Sequence, residues 1–551
     1  MVIIALSGCD GSGKTTLALT LYETLKACGI KTEYRKEFKY FLLKYILKAL
    51  DKNKIFRERK KFLRKEKSIS KIDHLKYKFW PFFVWLDSNL EILYLKLIKR
   101  SNIIILDRCI IDHLAGFEYL KYISKNTRNL LIKYSIKPNP IIILDNLPEI
   151  MYKRKKKTHQ YPLEFYERQR RRYLDIARKL GAPIIRTDIS VEKSLRGIIK
   201  HILLQLTKPE DIILHILSDP FNDPSIENFS ESISKKNIFE RDKLGYIIME
   251  ASKNNVEFPV YERLSQCVNK DIIKRALRIA KSKYNTFRSV LSIIIDTFDN
   301  IGINYVIFKT LPPYKYLPRD IDILINEDDK KRVINALTSR GFKISKTHII
   351  HKAISLTMNN FDLDLHWRVE WMGHKVIDES IILDNHYSYK LDDIIVQIPD
   401  PSQEFLLVAA HSILQHHYMT LGELHYLRAL IKKYKLDWDF IFEVAQRKCL
   451  WKKLTKCLAS ILIKDVLFYN SNIVKKLPEN ILSMISKTGI SVSKHILEPV
   501  IWYDPIFLPI SNIPSLIDSL LNLYRYLRYK VTKHLPYNEP LSEIKFKFLD
   551  S

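Results

Sequence analysis

A glycine-rich segment close to the first residue has the spacing of a phosphate-binding loop. It fits the pattern G-x-x-x-x-G-K-[ST], and it consists of Gly8, Cys9, Asp10, Gly11, Ser12, Gly13, Lys14, Thr15 and Thr16. The glycines let the backbone curl so that its N–H groups point at phosphate oxygens, and the N-terminus of the following helix adds positive charge. Lys14 would reach the β- and γ-phosphates of a nucleotide, while the Thr15 hydroxyl would help to hold Mg²⁺.

A second set of candidate residues is acidic and lies on two strand-like segments in the second half of the chain. Asp320 and Asp322 are two residues apart, so both carboxylates point to one face of a strand while isoleucines face the other way. Asp364 lies in a similar alternating segment, 361–367, and would supply a third carboxylate. Oxygen ligands on one rigid face suit Mg²⁺ shared with substrate phosphates. We predict a metal site here, and the alternative is an exposed acidic strand edge.

Histidines are concentrated in one helical segment, at His411, His416, His417 and His425. They do not form a clean i, i+4 pair with a neighbouring acidic residue, which is the helical pattern typical of zinc ligands. We therefore interpret them as helix-surface and packing residues in preference to metal ligands.

The secondary-structure elements that must position these residues follow two different patterns along the chain. Up to about residue 206, short apolar strands alternate with longer segments of helical spacing, which is typical of βαβ units and a parallel sheet. Helical spacing then dominates to residue 300, a mixed region follows, and the pattern is helical again beyond residue 399. The predicted fold class is α/β, with a parallel sheet flanked by helices and then a small α+β domain with helical flanks. We place the domains at 1–206, 207–300 (a helical connector), 301–400 and 401–551.

Composition narrows the class of protein. Of 551 residues, 46% are hydrophobic, and six cysteines form no C-x-x-C pair, so neither a zinc ribbon nor a disulfide framework is expected. No apolar run reaches the roughly 18 residues that span a bilayer, and no leader precedes the first strand. We expect a cytoplasmic protein without a membrane segment.

The charge favours anionic partners. Lysine and arginine outnumber aspartate and glutamate by 91 to 61, which gives a formal net charge of +30. Such an excess fits nucleotides, nucleic acid or only a lysine-rich surface. The basic segment 52–78 could contact nucleic acid through phosphates, although it contains no recognised nucleic-acid-binding motif.

Residues 7–16 resemble the G-x-D-G-S-G-K-T-T loop of thymidylate kinases, which is narrower than the generic pattern. The similarity extends over residues 1–206, through the segments 103–108, 138–149 and 165–173. It implies transfer of a phosphoryl group from ATP, with Mg²⁺, to a nucleoside monophosphate. Asp107 would then lie near the metal, Arg108 would bind the acceptor phosphate or the developing charge, and Arg154 would close over the transferring group as part of a lid. Homodimers are common in that family and are an expectation here.

Two departures affect the acceptor. Cys109 follows Arg108 where the family usually has an aromatic residue, and Ser88 stands where an arginine would hold the acceptor phosphate. The first acceptor to expect is dTMP, giving dTDP. The alternatives are a kinase for another small acceptor, and a nucleotide-sensing or nucleic-acid-binding protein with little turnover.

Residues 225–460 resemble an uncharacterised nucleotidyltransferase family of the polymerase-beta-like superfamily. The motifs are the Lys309 region and the segments 319–322, 364–367 and 401–407. The resemblance implies that Asp320, Asp322 and Asp364 hold metal ions. A Gly-Gly or Gly-Ser pair normally precedes the first two aspartates, and Lys309-Thr310 stands there instead. We therefore expect nucleotide binding, with or without catalysis, and the substrate stays open.

Overall fold

The computed structural model describes most of the chain in two compact units. The first contains Met1–Thr207, and the second contains Lys208–Thr488 and His495–Ser551. The described residues are 2–36, 41–43, 71–98, 103–155, 161–206, 209–221, 241–267, 270–348, 352–371, 374–416, 418–448, 450–469, 473–487 and 500–501. Most of the basic segment 52–78, and His417, lie outside these residues, and the side chains at 71–78 are not described either.

A five-stranded parallel sheet forms the centre of the first unit. Its strands are β1 (Val2–Gly8), β2 (Thr32–Lys36), β3 (Ile103–Asp107), β4 (Ile141–Asp145) and β5 (Ile184–Arg186). They lie in the order β2-β3-β1-β4-β5, and every neighbouring pair is parallel. β1, β3 and β4 are rich in isoleucine and buried almost throughout, as expected for strands covered on both faces.

Helices connect these strands and cover the sheet. They are α1 (Lys14–Ala27), α2 (Lys71–Ile98), α3 (Ile110–Tyr119), α4 (Lys125–Lys133), α5 (Pro148–Lys155), α6 (Leu163–Leu180) and α7 (Val191–Leu206). The apolar cluster on one face joins Ile104 and Ile143 of the sheet to Val84 of α2, Leu114 of α3 and Ile176 of α6. The predicted α/β class is confirmed for this unit.

The second unit contains a mixed five-stranded sheet. Its strands are β6 (Tyr305–Phe308), β7 (Asp320–Ile325), β8 (Lys343–His348), β9 (Ala353–Met358) and β10 (Phe361–His366), in the order β6-β7-β10-β9-β8. Only β7 and β10 pair in parallel within this sheet. Short two-stranded sheets follow, formed by β11 (Glu370–Trp371) with β12 (His374–Lys375), β13 (His386–Leu391) with β14 (Ile394–Pro399), and β15 (Tyr418–Met419) with β16 (Val500–Ile501).

Eleven helices are described in the second unit. They are α8 (Pro209–Ser218), α9 (Arg241–Lys253), α10 (Glu257–Cys267), α11 (Asp271–Ile301), α12 (Lys330–Ser339), α13 (Glu379–Asp384), α14 (Pro401–His411), α15 (Leu421–Lys433), α16 (Trp438–Arg447), α17 (Trp451–Phe468) and α18 (Glu479–Lys487). α11 packs on the sheet, where Phe287 meets Phe361 with ring centroids 5.6 Å apart. Ile321, Ile323 and Leu363 belong to the same apolar cluster, so the aspartates that alternate with them lie on the opposite face. This mixed sheet with its helices confirms the predicted α+β class.

None of the described helices combines the length and the apolar character needed to cross a membrane.

One arginine ties together the helices of the second unit. Arg428 of α15 is completely buried, and it donates to Asp219 at 2.6 Å and to Asp465 of α17 at 2.7 Å. Both carboxylates are also buried, so the three groups compensate one another's charges in a region that excludes water.

Replacing Arg428 by leucine should destabilise the second unit by about 3–5 kcal/mol, because two buried carboxylates would lose the guanidinium that they share. Thermal and urea unfolding of the full chain, followed by circular dichroism, measures the loss. The matched control is Arg447→Leu, which removes an exposed ion pair with Glu443 and should cost at most about 1 kcal/mol. Equal stability of the two variants would contradict this account.

Candidate functional site

The glycine-rich loop joins β1 to α1 and depends on backbone conformations that favour glycine. Gly11 and Gly13 have φ angles of 87° and 88°, in the left-handed region. A β-carbon on Gly11 would also lie 2.9 Å from the carbonyl oxygen of Met151 in α5. The two residues are therefore required as glycines by backbone geometry, and at position 11 also by close packing.

Lys14 is folded back into this loop. Its Nζ donates to the carbonyl oxygens of Gly8 at 2.6 Å and Cys9 at 3.0 Å, and it lies 3.7 Å from a carboxylate oxygen of Asp10. The side chain is only 5% exposed, so the ammonium is held where the loop backbone curls. An ammonium has three donor positions, and a phosphate oxygen within the loop would be a stronger partner than a neutral carbonyl.

Thr15 and Asp107 form a hydroxyl and carboxylate pair suited to a divalent metal. The Thr15 hydroxyl donates to Asp107 Oδ2 at 2.6 Å, and the Tyr34 hydroxyl reaches the same oxygen at 3.2 Å. Asp107 is 1% exposed, and its Oδ1 has no hydrogen-bond partner among the described residues. A buried carboxylate oxygen without a hydrogen-bond donor fits hydrated Mg²⁺, which is commonly held by one or two carboxylates and retains several waters.

Two arginines complete the surroundings of the loop. Arg108 has a φ of 93°, a strained conformation for a side-chain-bearing residue, and it donates to Asp10 at 3.0 Å. Arg154 of α5 donates to the carbonyl oxygen of Gly11 at 3.1 Å. Both guanidinium groups line a cavity of about 290 Å³ together with Lys14 and Thr15.

The structure therefore brings together the residues that the sequence predicts for phosphate and metal binding in the first unit. Other residues around the cavity come from the loop, the first turn of α1, the end of α5, the segment after β5 and the start of α7, namely Asp10, Gly11, Gly13, Thr16, Leu17, Lys155, Thr187, Ile189, Val191 and Ser194. Cys9 is part of the loop, but burial raises the pKa of its thiol to about 12, so the thiol is protonated at neutral pH.

Asp112 is a polar anchor that sequence reasoning missed. It accepts hydrogen bonds from the Ser7 hydroxyl at 2.6 Å, from the Cys109 backbone N–H at 3.0 Å and from the Tyr173 hydroxyl at 3.0 Å. The available signal was an aspartate in the first turn of the helix after Asp107-Arg108, because acidic residues favour that position. Its partners lie far apart in the chain, so only the fold reveals that it joins β1, α3 and α6.

Unlike the loop, the expected acceptor side lacks the arginine that the resemblance places there. Asp87 uses its carboxylate to accept backbone N–H groups of Phe41, Leu42 and Leu43 at 2.6–3.0 Å. Ser88, where the resemblance places an acceptor-binding arginine, is only 2% exposed. This position therefore supplies a buried hydroxyl and no guanidinium.

The three predicted metal ligands of the second unit lie on the paired strands β7 and β10. Their parallel register places Asp364 beside Asp322 and Asp362 beside Asp320. Ligand atoms of Asp322, Asp364 and His366 lie within 4.8 Å of one another. The sequence predicts the two carboxylates but not His366, which the alternation along β10 could have indicated.

Cationic and polar groups already surround Asp322. Lys309 Nζ lies 3.1 Å and His366 Nε2 3.0 Å from its Oδ1. Burial alone would raise the pKa of Asp322, but Lys309 and His366 outweigh it and lower that pKa. Asp320 reaches the surface, and the surrounding protein and the carboxylates of Asp322 and Asp364 raise its pKa. Binding a divalent cation would relieve that repulsion.

The segment that replaces the expected glycine pair contacts this site directly. Lys309 has a φ of 58°, and its backbone N–H donates to the buried Glu404 at 2.7 Å. The next residue, Thr310, accepts a hydrogen bond from the Asp322 N–H at 3.0 Å. This turn thereby holds the Lys309 ammonium against Asp322, at the position where the resemblance led us to expect glycines.

The family model described as "Uncharacterised nucleotidyltransferase" matches residues 251–461. Two solved structures are similar to the N-terminal part of the chain. One is thymidylate kinase from Ehrlichia chaffeensis, with 23% identity, coverage of 37% of this chain and 98% of that chain, and a TM-score of 0.26. The other is deoxyadenosine kinase from M. mycoides, with 17% identity, coverage of 36% and 98%, and a TM-score of 0.26.

Lys14→Ala should weaken the binding of a fluorescent ATP analogue at least about 10-fold, because the loop would lose its charge-assisted donor to phosphate. Fluorescence titration of the full chain measures the change. Lys26→Ala is the matched control, since Lys26 lies on the same helix about 18 Å further along and is exposed. Unchanged binding in the Lys14 variant would exclude this loop as the nucleotide site.

In a Lys14→Ala background, calorimetry of the full chain should still detect Mg²⁺-dependent nucleotide binding by the second unit. Adding Asp322→Asn or Asp364→Asn should remove it, because each change takes away a carboxylate ligand. Asp329→Asn, on a surface turn of the same unit, is the control. Binding that persists in both variants would make these carboxylates a structural strand edge.

Proposed function

We propose that the first unit catalyses ATP- and Mg²⁺-dependent phosphorylation of a nucleoside monophosphate. The observation that carries this proposal is the assembly of Lys14, Thr15, Arg108 and Arg154 around one cavity, with Asp107 hydrogen-bonded to Thr15. Phosphoryl transfer needs alignment and neutralisation of charge more than covalent help from the protein, and these groups supply both.

The donor nucleotide would lie with its phosphates on the loop. Lys14 would turn its ammonium from the Gly8 and Cys9 carbonyls toward the β- and γ-phosphates. Thr15 and Asp107 would hold Mg²⁺, which neutralises charge on the phosphate oxygens. Ile189 and Val191, which are roughly half exposed at the cavity, offer apolar surface for the base.

The two arginines would act on the transferring group from different sides. Arg108 follows Asp107 directly and is held by Asp10, and it would bind the acceptor phosphate. Arg154 is held by the carbonyl of Gly11 and comes from α5, at the opening of the loop. Positive charge at both places would stabilise the equatorial oxygens in the transition state.

The first acceptor to test is dTMP, because the loop matches the sequence pattern of thymidylate kinases, which is narrower than the general phosphate-binding pattern. The buried Ser88 favours a second candidate, a kinase for another small acceptor whose phosphate is bound without an arginine at that position. For the second unit, the register of Asp322 with Asp364 supports nucleotidyl transfer as a separate activity.

Acceptor-dependent release of ADP from ATP and Mg²⁺ should be measured with a panel of nucleoside monophosphates. We expect turnover with at least one acceptor, its loss in Lys14→Ala, and a decrease of at least about 100-fold in Arg154→Ala, because a charge-stabilising group is removed. Arg171→Ala, which changes an exposed arginine on α6, is the matched control. Asp320→Ala/Asp322→Ala should retain the kinase activity.

Nucleotide binding without turnover on any acceptor in the panel would contradict the kinase proposal. That result would favour a nucleotide sensor.

A further inference from the structure

We propose that His411, His416 and Glu423 form a binding site for a divalent transition-metal ion of the zinc class. One ligand atom from each residue lies within 4.8 Å of the other two. Two imidazoles with one carboxylate are a ligand set typical of zinc and related ions. The site is independent of the proposed phosphoryl transfer, which uses the first unit.

The distances between the ligand atoms are compatible with a shared metal ion. Glu423 Oε1 lies 3.4 Å from His416 Nδ1 and 3.8 Å from His411 Nδ1. Both separations exceed the usual 2.7–3.2 Å of an N–H···O hydrogen bond. Ligands arranged tetrahedrally at about 2.1 Å from an ion are separated by roughly 3.4 Å, so the two separations from Glu423 are close to those of a coordination shell.

A local change in helix type brings the histidines together. His411 ends α14, and residues Ser412–His416 form a turn of π-helix. Residues five apart in an α-helix point about 140° away from each other, whereas i→i+5 bonding returns them to the same side. The two rings accordingly lie 4.4 Å apart between centroids. The i, i+4 pattern expected for a helical zinc site could not detect this pair.

The carboxylate is oriented by its second oxygen. Glu423 Oε2 accepts hydrogen bonds from the Thr420 N–H at 2.7 Å and from the Thr420 hydroxyl at 2.9 Å, in a capping box at the start of α15. This leaves Oε1 directed at the two imidazoles. Hydrogen bonds that fix a ligand in this way are a regular feature of metal sites in proteins.

The partial exposure of the cluster allows an ion to enter and leaves room for water as a fourth ligand. His416 is 34% exposed, His411 18% and Glu423 13%. On its inner side, His411 packs edge-to-face on Trp371, with ring centroids 5.6 Å apart. Trp371 also contacts the Lys309 ammonium, 5.1 Å from its ring centroid. A bound ion would therefore restrict the motion of His411 and of Trp371, which contacts Lys309.

The test is a titration of chelator-treated full-length protein with Co²⁺, whose visible absorption is intense in four-coordinate sites. We expect one equivalent to give this band and Zn²⁺ to displace it. His416→Asn and Glu423→Gln should each weaken binding at least about 10-fold. Glutamine preserves the capping box, so Glu423→Gln tests the ligand without removing the helix cap.

Two controls separate this site from other metal sites in the chain. Asp364→Asn changes the carboxylate cluster and His386→Gln changes a histidine elsewhere in the second unit, so both should retain the band. Absence of the band from the intact chain, or its survival in both His416→Asn and Glu423→Gln, would overturn the proposal. Its loss in Asp364→Asn would place the ion at the carboxylates instead, and would overturn it as well.

Discussion

Parallel pairing of β1 with β3 is the constraint on which the first site depends. The pairing sets Leu6 beside Asp107, so the glycine-rich loop and the carboxylate of Asp107 lie at the same edge of the sheet. The hydrogen bond from Thr15 to Asp107 then joins the start of α1 to the end of β3. Because α1 begins immediately after the loop, the residues that we propose for phosphate and metal binding lie close to the helix N-terminus.

Buried charge is managed differently in the two units. In the loop, the Lys14 ammonium is satisfied by carbonyl oxygens, which a phosphate can replace. In the second unit, Lys309 is bound to the carboxylate of Asp322 and flanked by the rings of Phe308 and Trp371. Arg428 is shared by two carboxylates. Some of the basic side chains are thus structural, and they do not all serve to attract anionic partners.

The carboxylate site and the histidine cluster of the second unit share a polar framework. Glu404 of α14 accepts from the Lys309 N–H and from the Tyr426 hydroxyl at 2.5 Å, and burial raises its pKa to about 7. The same helix ends at His411, and Tyr426 lies on the helix that begins at Glu423's capping box. The two clusters are therefore connected through α14 and α15.

Local chemistry and periodicity were sufficient to predict much of this protein. The loop from Gly8 to Thr16 is contiguous, so its backbone and donors follow from residue types alone. The isoleucine-rich strands follow from their apolar runs, and the common face of Asp320 and Asp322 follows from the two-residue period of a strand.

Contacts between distant segments needed the tertiary structure. Pairing register, which has no local signature, places Asp364 beside Asp322, and packing of α3 and α6 brings Asp112 to Ser7 and Tyr173. The histidine cluster needed it too, because a π-turn changes the local period and the carboxylate comes from the next helix.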